Sequence, residues 1–187
     1  DALRTCRAGT AWQWDGVRFR ILHPAQAQTS DNDASCVLLV DNGRRRVLLP
    51  GDISRTGELA LLPQLAGTHV DVLIAAHHGS RSSSSLAFVR AALPRVVVVS
   101  AGYMNRFGHP HAEVVCRFMA TGANVVTTAL AGAIEWQSQE PLRFVAWRRV
   151  APPYWRVGIA EARTLSFNEA AVTKDGRILG LRLDQLE

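Results

Sequence analysis

The sequence has little cysteine, almost no lysine and no long apolar run. Its three cysteines, Cys6, Cys36 and Cys116, lie far apart, and none belongs to a CxxC pair. This spacing argues against a thiolate zinc site and against a disulfide scaffold. Because Cys36 and Cys116 lie within apolar runs, we expect both to be small residues of the core.

Several sequence patterns of known meaning are also lacking. No apolar stretch is long enough to span a membrane, and no signal peptide opens the chain. Without a Walker A or G-x-G-x-x-G pattern, a nucleotide-binding role has no support. The nucleophile elbow of Ser-His-Asp hydrolases is missing as well. Since the chain begins with Asp1 rather than Met, we expect it to be cut from a longer protein.

The composition is that of a globular protein with a basic surface. Hydrophobic residues make up 48% of the 187 positions and charged residues 20%, which allows one domain with a buried core. The net charge is +5, and nearly all basic residues are arginine, a side chain suited to bidentate contact with phosphate or carboxylate. A polyanionic partner is one explanation. The other is a solvated arginine-rich surface, which we prefer for clusters such as residues 44–46.

Apolar strands alternate with helices through the middle of the chain, which predicts an α/β protein whose sheet is covered by helices. Asn42-Gly43 between two apolar runs predicts a hairpin with a tight primed turn. Ser54 is the expected N-cap of a helix that Pro63 kinks or shortens, and Pro110 is expected at the first position of another. The predicted strands are 14–24, 35–40, 44–52, 68–76, 95–102, 124–129, 132–138 and 141–149, and the predicted helices are 54–67, 83–94 and 109–123.

Polar residues follow three of these strands. "LLPGD" ends in Asp52, "LIAAHHGS" contains His77 and His78, and "VSAGYMNRFGHPH" contains His109 and His111. In an open α/β sheet, functional groups collect beyond the carboxyl ends of the strands. A lone histidine after a strand is usually structural, but two histidine pairs and an aspartate at such places favour a site. Imidazole and carboxylate together suit zinc or manganese, which can generate a hydroxide at neutral pH.

The loop after the histidine pair is rich in small polar residues. Gly79 and Ser80 leave room and backbone N–H groups for an oxyanion at the start of the next helix. We therefore assign Ser80 to substrate binding. We interpret the serine run at 82–85 as a flexible loop and helix cap rather than as a binding element.

Three segments, in this order and at this spacing, resemble the metallo-β-lactamase-like domain of the ComEC family of DNA-internalisation competence proteins. They are "NDASCVLLVDNGRRRVLLPGDIS", "VDVLIAAHHGSRSSSS" and "VVVVSAGYMNRFGHPH". "CRAGTAWQWDGVRFRILHP" resembles the stretch that precedes these motifs in that family. The resemblance covers about residues 6 to 155.

The resemblance implies a fold and a chemistry. The superfamily fold is a four-layer αββα sandwich, and this chain resembles its C-terminal half, a mixed sheet flanked by helices. We therefore expect residues 1–155 to form that part of the domain and residues 156–187 to be an extension or tail of unknown role. The superfamily uses one or two metal ions, usually zinc or manganese, to hydrolyse esters, amides or phosphodiesters.

The resemblance also implies roles for single residues. Asp52 matches the acidic motif that bridges the metals, and His78 matches the last histidine ligand. His77 would be a catalytic phosphate contact or proton donor, although the two histidines could exchange roles. His109 would act on the phosphate side of the site, and His111 would cap or pack at its helix start.

The chain departs from the superfamily pattern in two places. The H-x-[HD]-x-D-H signature, which supplies most metal ligands, is absent from the 187 residues. A third motif of the superfamily supplies another histidine, and near its position this chain has Asn32, Asp33 and Ser35. We expect Asn32 or Asp33 to contact substrate or to form a loop turn. With two ligands, we expect weak or absent metal binding and little activity from this chain alone. Self-association through an uncovered sheet face is a further expectation.

The function implied is part of a metal-dependent DNA phosphodiesterase that degrades the non-transported strand during transformation. Its partners would be DNA, a membrane channel and the remaining domains of the same protein. That protein would lie in the bacterial inner membrane, with this domain soluble and extracytoplasmic. The alternatives are a phosphoesterase of the same fold for a small substrate such as a phosphocholine ester, and a catalytically inactive DNA-binding domain.

Overall fold

A seven-stranded mixed sheet forms the centre of the protein in the computed structural model, which describes residues 5–26, 30–140, 143–150, 169–172 and 178–182. The strands lie side by side in chain order, antiparallel from β1 to β4 and parallel from β4 to β7. They are Ala11–Trp14 (β1), Val17–His23 (β2), Val37–Asp41 (β3), Arg46–Leu49 (β4), Val72–Ile74 (β5), Val96–Val99 (β6) and Asn124–Thr127 (β7).

Helices connect the parallel strands and cover one face of the sheet. In chain order between β4 and β7 they are α1 (Arg55–Leu65), α2 (Leu86–Ala92) and α3 (Ala112–Met119). Parallel neighbours need such crossovers because the chain must return to the same end of the sheet. Ser54 accepts a hydrogen bond from the Thr56 N–H and caps α1, as predicted. The side chains buried on this face include Leu48, Leu61, Leu73, Phe88, Val97 and Phe118.

A short antiparallel hairpin covers part of the opposite face. It consists of β8 (Ile134–Trp136) and β9 (Phe144–Ala146), preceded by the one-turn helix α4 (Thr128–Ala131). Trp136 is buried against the residues of the sheet that point this way, which include Val47, Val72, Ile74, Val96 and Val98. Along the edge strand β1, Trp12 and Trp14 remain 44% and 56% exposed.

The end of the chain contributes a second small pair of strands. A helical turn, α5 (Trp147–Val150), follows β9, and β10 (Glu169–Val172) pairs antiparallel with β11 (Ile178–Arg182). Strand β11 lies within the segment "GRILGLRL". Most of residues 156–187 and the predicted boundary at 155 lie outside the described residues. None of the helices within the described ranges combines the length and apolar character needed to cross a bilayer.

The predicted α/β class, with a mixed sheet flanked by helices, is confirmed. The αββα sandwich stays a prediction. Strand β1 was missed, although Asp15-Gly16 between β1 and β2 is a hairpin turn signal. The predicted hairpin at β3 and β4 is confirmed, but Asp41 pairs with Arg46, so its loop has four residues instead of two. Asn42 closes this wider loop because its Oδ1 accepts the N–H groups of residues 44 and 45.

Two helix predictions need correction. Helix α1 continues through Pro63 to Leu65, so the proline does not shorten it. The third helix begins at Ala112 instead of residue 109, and Pro110 precedes its N-cap, His111. The reason is tertiary, because the His111 N–H donates to the Gly79 carbonyl, 3.1 Å away, and this bond keeps residue 111 extended.

The prediction that Cys36 and Cys116 are small core residues was wrong, and a disulfide is present where the spacing argued against one. Cys6 and Cys36 form a disulfide with Cα atoms 5.7 Å apart, and Cys116 is exposed on α3. The β1–β2 hairpin returns the N-terminal segment beside β2, where the Ala8 N–H donates to the Pro24 carbonyl. This path brings Cys6 to the start of β3 across a sequence separation of 30. No local spacing could reveal that pairing.

The serine loop before α2 is held firmly, in contrast to the flexible loop that we predicted. Ser83 and Ser84 are fully buried. The Glu58 carboxylate accepts the backbone N–H groups of Ser84 and Ser85, and Ser85 caps α2, as the run predicted. Burial raises the pKa of Glu58, while its hydrogen bonds with the loop lower it. Glu58 thus joins α1 to the loop that leads into α2.

Replacing Glu58 by alanine should lower the free energy of unfolding by about 2–4 kcal/mol, because two buried N–H groups lose their acceptor. Glu58→Gln keeps one acceptor and should cost less. Chemical denaturation measures both. The exposed Glu140→Ala is the control and should stay within about 0.5 kcal/mol of wild type. Equal stability of Glu58→Ala and wild type would contradict the role assigned to this carboxylate.

Candidate active site

Three loops meet at the carboxyl edge of β4, β5 and β6. The His77 N–H donates to the Gly51 carbonyl at 3.0 Å, which joins the loop after β5 to the loop after β4. The His111 N–H donates to the Gly79 carbonyl at 3.1 Å, which joins the loop after β6 to that same β5 loop. Asp52, His77, His78, His109 and His111 are therefore brought to one place, as their positions after strands predicted.

The backbone turns in an unusual way where β5 ends. His77, His78 and Gly79 have φ values of 48°, 56° and 82°, so three consecutive residues adopt left-handed conformations. Residues other than glycine pay for this conformation and keep it only where the surroundings demand it, often at functional sites. Only glycine fits at position 79, because the Cβ of any other residue would lie 2.6 Å from the Pro110 Cβ. This left-handed turn of the backbone places the imidazoles of His77 and His78 at the edge of the sheet.

Asp52 and His78 form the closest carboxylate–imidazole pair of the site. The Asp52 Oδ1 lies 3.6 Å from the His78 Nε2, and the two side chains are 42% and 26% exposed. The His78 Nδ1 lies 2.9 Å from the Ser100 carbonyl. Because a carbonyl only accepts, Nδ1 carries a proton, and when the ring is neutral its Nε2 lone pair faces Asp52. Metal-binding histidines are commonly oriented in this way.

The other histidines extend the cluster in a row. The ring centroids of His77 and His109 are 6.0 Å apart, and those of His109 and His111 are 5.1 Å apart. Burial lowers the pKa of His109, the neighbouring histidines lower it further, and Asp52 opposes them. The His77 Nδ1 is buried and has no hydrogen-bond partner among the described residues. Its Nε2 is therefore the atom available for chemistry.

The loop that carries Asp52 is supported by the segment before β3. The Asp52 N–H donates to the Ser35 Oγ at 3.1 Å. Gly51 has φ 61°, and a Cβ there would lie 2.8 Å from the Ser35 Cβ. The Asp33 carboxylate accepts the backbone N–H and the hydroxyl of Ser54 at 2.7 and 2.9 Å. Asp33 and Ser35 thus hold the loop in place.

The two predicted substrate contacts stay predictions. Asn32 lies exposed in a single turn of 3₁₀ helix, Asn32–Ala34. The Ser80 Oγ lies 3.0 Å from the Ser82 Oγ and also accepts the Ser82 N–H. Ser80 is partly exposed and directly follows Gly79.

Asp52 and His78 fit a divalent ion as two of its ligands. Their donor atoms are close, and the tautomer of His78 leaves Nε2 free to bind. Zinc nearly always takes four ligands. Within the described ranges, however, no group of three or more His, Cys, Asp and Glu residues is arranged to hold a metal ion. The pair is therefore at most part of a ligand set.

Asn105, which was not predicted from the sequence, fixes the loop after β6. The Asn105 Nδ2 donates to the carbonyls of Gly102 and His109 at 3.0 and 2.6 Å, and its Oδ1 accepts the His109 N–H at 3.0 Å. These bonds place His109 in the cluster. The available signal was the segment "NRFG", whose asparagine and glycine are typical turn residues.

Comparison with known proteins places the chain beside bacterial competence proteins. It is 39% identical over 138 residues to Competence protein ComA of Neisseria gonorrhoeae. It is 38% identical over 130 residues to Recombination protein 2 of Haemophilus influenzae and 30% identical over 161 residues to ComE operon protein 3 of Bacillus subtilis. The chain is homologous to one segment of these proteins. The predicted resemblance is therefore confirmed as similarity to one segment of these relatives. No protein-family model matches the chain.

The similarity covers most of this chain and a small part of each relative. The match to the Neisseria protein covers 73% of this chain and 20% of that protein. The corresponding values are 69% and 16% for the Haemophilus protein, and 86% and 20% for the Bacillus protein. The chain thus corresponds to about a fifth of the length of these relatives. The metallo-β-lactamase-like half-domain and the assigned site roles stay predictions.

Gly79→Ala should disturb the site more than a comparable change elsewhere. Its Cβ would collide with Pro110 and separate the loops after β5 and β6. Gly67→Ala is the matched control, because Gly67 has φ 73° but open space around it. We expect Gly67→Ala to cost about 1 kcal/mol, from backbone strain alone, and Gly79→Ala at least about 2 kcal/mol.

Chemical denaturation measures these costs, and NMR of the histidine side chains shows whether the cluster moves. Equal costs for the two variants, with unchanged histidine resonances in both, would contradict the contact between Gly79 and Pro110.

Proposed function

We propose that this chain supplies part of the active site of a metal-dependent DNA phosphodiesterase within a competence protein. The observation that carries the proposal is the Asp52–His78 pair, with a 3.6 Å separation and a histidine whose tautomer suits metal binding. Its place at the carboxyl edge of the parallel strands agrees with where α/β proteins bind their substrates. Similarity to Competence protein ComA supports the assignment to DNA uptake.

Each residue of the cluster would have a separate task. Asp52 and His78 would hold zinc or manganese together with ligands from outside the described residues. An ion bound there would supply Lewis acidity toward a phosphate oxygen and lower the pKa of water. His77 would present Nε2 to the phosphate. Burial and the neighbouring histidines lower the pKa of His109, which favours its neutral form. In that form it would donate a hydrogen bond to the phosphate without adding a permanent charge.

The disulfide supports a location outside the cytoplasm. Structural disulfides persist in oxidising compartments and are rare in the cytosol of most organisms. Cys6–Cys36 joins the N-terminal segment to the start of β3, next to the Ser35 that supports Asp52. We propose an extracytoplasmic domain of an inner-membrane protein, with DNA, a membrane channel and the other domains of the same protein as its partners.

A second candidate is a domain that binds DNA without cutting it. The observation in its favour is that the described residues bring together two metal ligands and not three. In this case the basic surface would bind DNA, and Asp52 and the histidine cluster would have no catalytic role. A phosphoesterase for a small substrate such as a phosphocholine ester and self-association of the chain remain further hypotheses, which the experiment below and light scattering would address.

Asp52→Asn in the full-length protein should reduce metal-dependent cleavage of labelled single- or double-stranded DNA at least about 100-fold, because it removes a metal ligand. His78→Ala should have a similar effect. Asp15→Asn, in the β1–β2 turn, is the matched control and should retain activity.

Manganese and zinc are tested in parallel, and binding of the same DNA is measured without metal. DNA binding with no cleavage under either metal would favour the binding domain. Cleavage of a small phosphodiester but not of DNA would favour the small-substrate enzyme.

The cysteines should differ in their reactivity in protein isolated without reductant. Cys116 is exposed and should be alkylated directly, whereas Cys6 and Cys36 should react only after reduction. Peptide mass mapping distinguishes the three sites. Direct alkylation of all three would argue against the disulfide and remove the support that it gives to an extracytoplasmic location.

A further inference from the structure

Two large apolar side chains project from the loop that carries His109. Phe107 is 54% exposed and Met104 is 80% exposed. A single exposed apolar residue is ordinary on a protein surface. Here, however, Phe107 lies two residues from His109, and its ring is in contact with the imidazole of the candidate active site. The exposed ring is thus part of the rim of the site.

The loop presents this ring in a defined position. Asn105 bonds to Gly102 on one side and to His109 on the other, and the Gly108 N–H donates to the Asn105 carbonyl at 3.0 Å. Phe107 lies inside the turn that these bonds close. A side chain held in place before a ligand arrives loses less conformational entropy on binding. The loop therefore suits recognition of a flat ligand.

Phe107 is the outer member of a stack that begins in the histidine cluster. Its centroid is 5.7 Å from that of His109, and the two ring planes differ by 24°. The Arg106 guanidinium lies 4.8 Å from the centroid of Phe107. A planar cation and an aromatic face together form the surface on which nucleobases stack in proteins that bind single strands.

We propose that Phe107 and Arg106 form a stacking platform for one unpaired nucleobase of a DNA strand whose phosphate lies at His77 and His109. This inference rests on the proposed function and deepens it by defining the substrate as single-stranded at the point of contact. In a duplex, each base face is covered by its neighbour, so the ring has no face to stack on. The base would take the place of Arg106 on the face of Phe107, and the guanidinium would turn to stack on the base or to bind a neighbouring phosphate.

The charge around the platform favours DNA over an apolar partner. The platform includes the positive charge of Arg106 and borders a row of imidazoles that can donate hydrogen bonds to phosphate, so an anionic backbone can follow the same path as the stacked base. An apolar protein surface would have to desolvate Arg106 and His109 without replacing their hydrogen bonds. A partner protein on this rim is treated as an alternative outcome of the test.

The test measures binding of fluorescently labelled oligonucleotides to the full-length protein without added metal, so that no strand is cut. Phe107→Leu keeps an apolar side chain and removes the aromatic face, and it should weaken single-strand binding about 10-fold. Duplex binding should change less than about twofold, because its bases remain stacked on each other. Phe107→Trp should retain or strengthen single-strand binding. Trp14→Leu, an exposed aromatic residue on β1, is the matched control and should have no effect.

An abasic site in the single strand gives an independent measure. Wild type should bind the abasic strand about 10-fold more weakly than the intact strand, which is the loss of affinity expected for Phe107→Leu on the intact strand. The Phe107→Leu variant should bind the abasic and intact strands with nearly equal affinity. Equal single-strand affinity for wild type and Phe107→Leu would overturn the platform and leave a partner protein as the occupant. Equal weakening of single strand and duplex would overturn it as well.

The platform and the proposed function can fail separately. Cleavage that depends on Asp52, together with unchanged strand preference in Phe107→Leu, would retain the nuclease and reject the platform. Strand preference that depends on Phe107, without cleavage under any metal, would retain the platform on a DNA-binding domain. Thermal unfolding of each variant confirms that the comparison is made between folded proteins.

Discussion

The candidate site depends on the left-handed backbone at the end of β5. The positive φ angles of His77 and His78 cost conformational energy, and the chain keeps them because both flanking loops are bonded to this turn. Gly51 accepts the hydrogen bond of His77, and Gly79 accepts that of His111. If this turn relaxed, both imidazoles would leave the edge of the sheet, and Asp52 would lose its partner.

Around this turn, three residues of the candidate site are held in place by residues outside the cluster. Ser100 orients His78, Ser35 holds the backbone of Asp52, and Asn105 holds His109. The sites of enzymes require such support because small displacements of a catalytic group are costly. The same clamp by Asn105 presents Phe107 to solvent, so one loop both completes the cluster and borders it with an aromatic face.

The class of fold and the meeting of the histidines could be predicted because they depend on local pattern and topology. Buried β-branched strands such as β6 and helical segments such as α1 alternate, and parallel strands must end at one edge. The four-residue hairpin loop, the late start of α3 and the buried serine loop could not be predicted. At the start of α3 and in the serine loop, a long-range bond, such as that of Glu58 with Ser84, overrides the local preference. In the hairpin loop, the Asn42 side chain accepts the N–H groups of residues 44 and 45 and favours the wider turn.

By itself, the sequence determined which residue types follow which strands, and hence that Asp52 and four histidines would gather at one edge. Only the tertiary structure decided which atoms face each other. It paired Cys6 with Cys36, directed the Nε2 of His78 to Asp52 and used Asp33 to hold Ser54. The physical reason is the separation along the chain between the interacting residues. Strand and helix patterns arise from neighbours along the chain, whereas tautomer, strain and pairing depend on groups that folding brings together from distant positions.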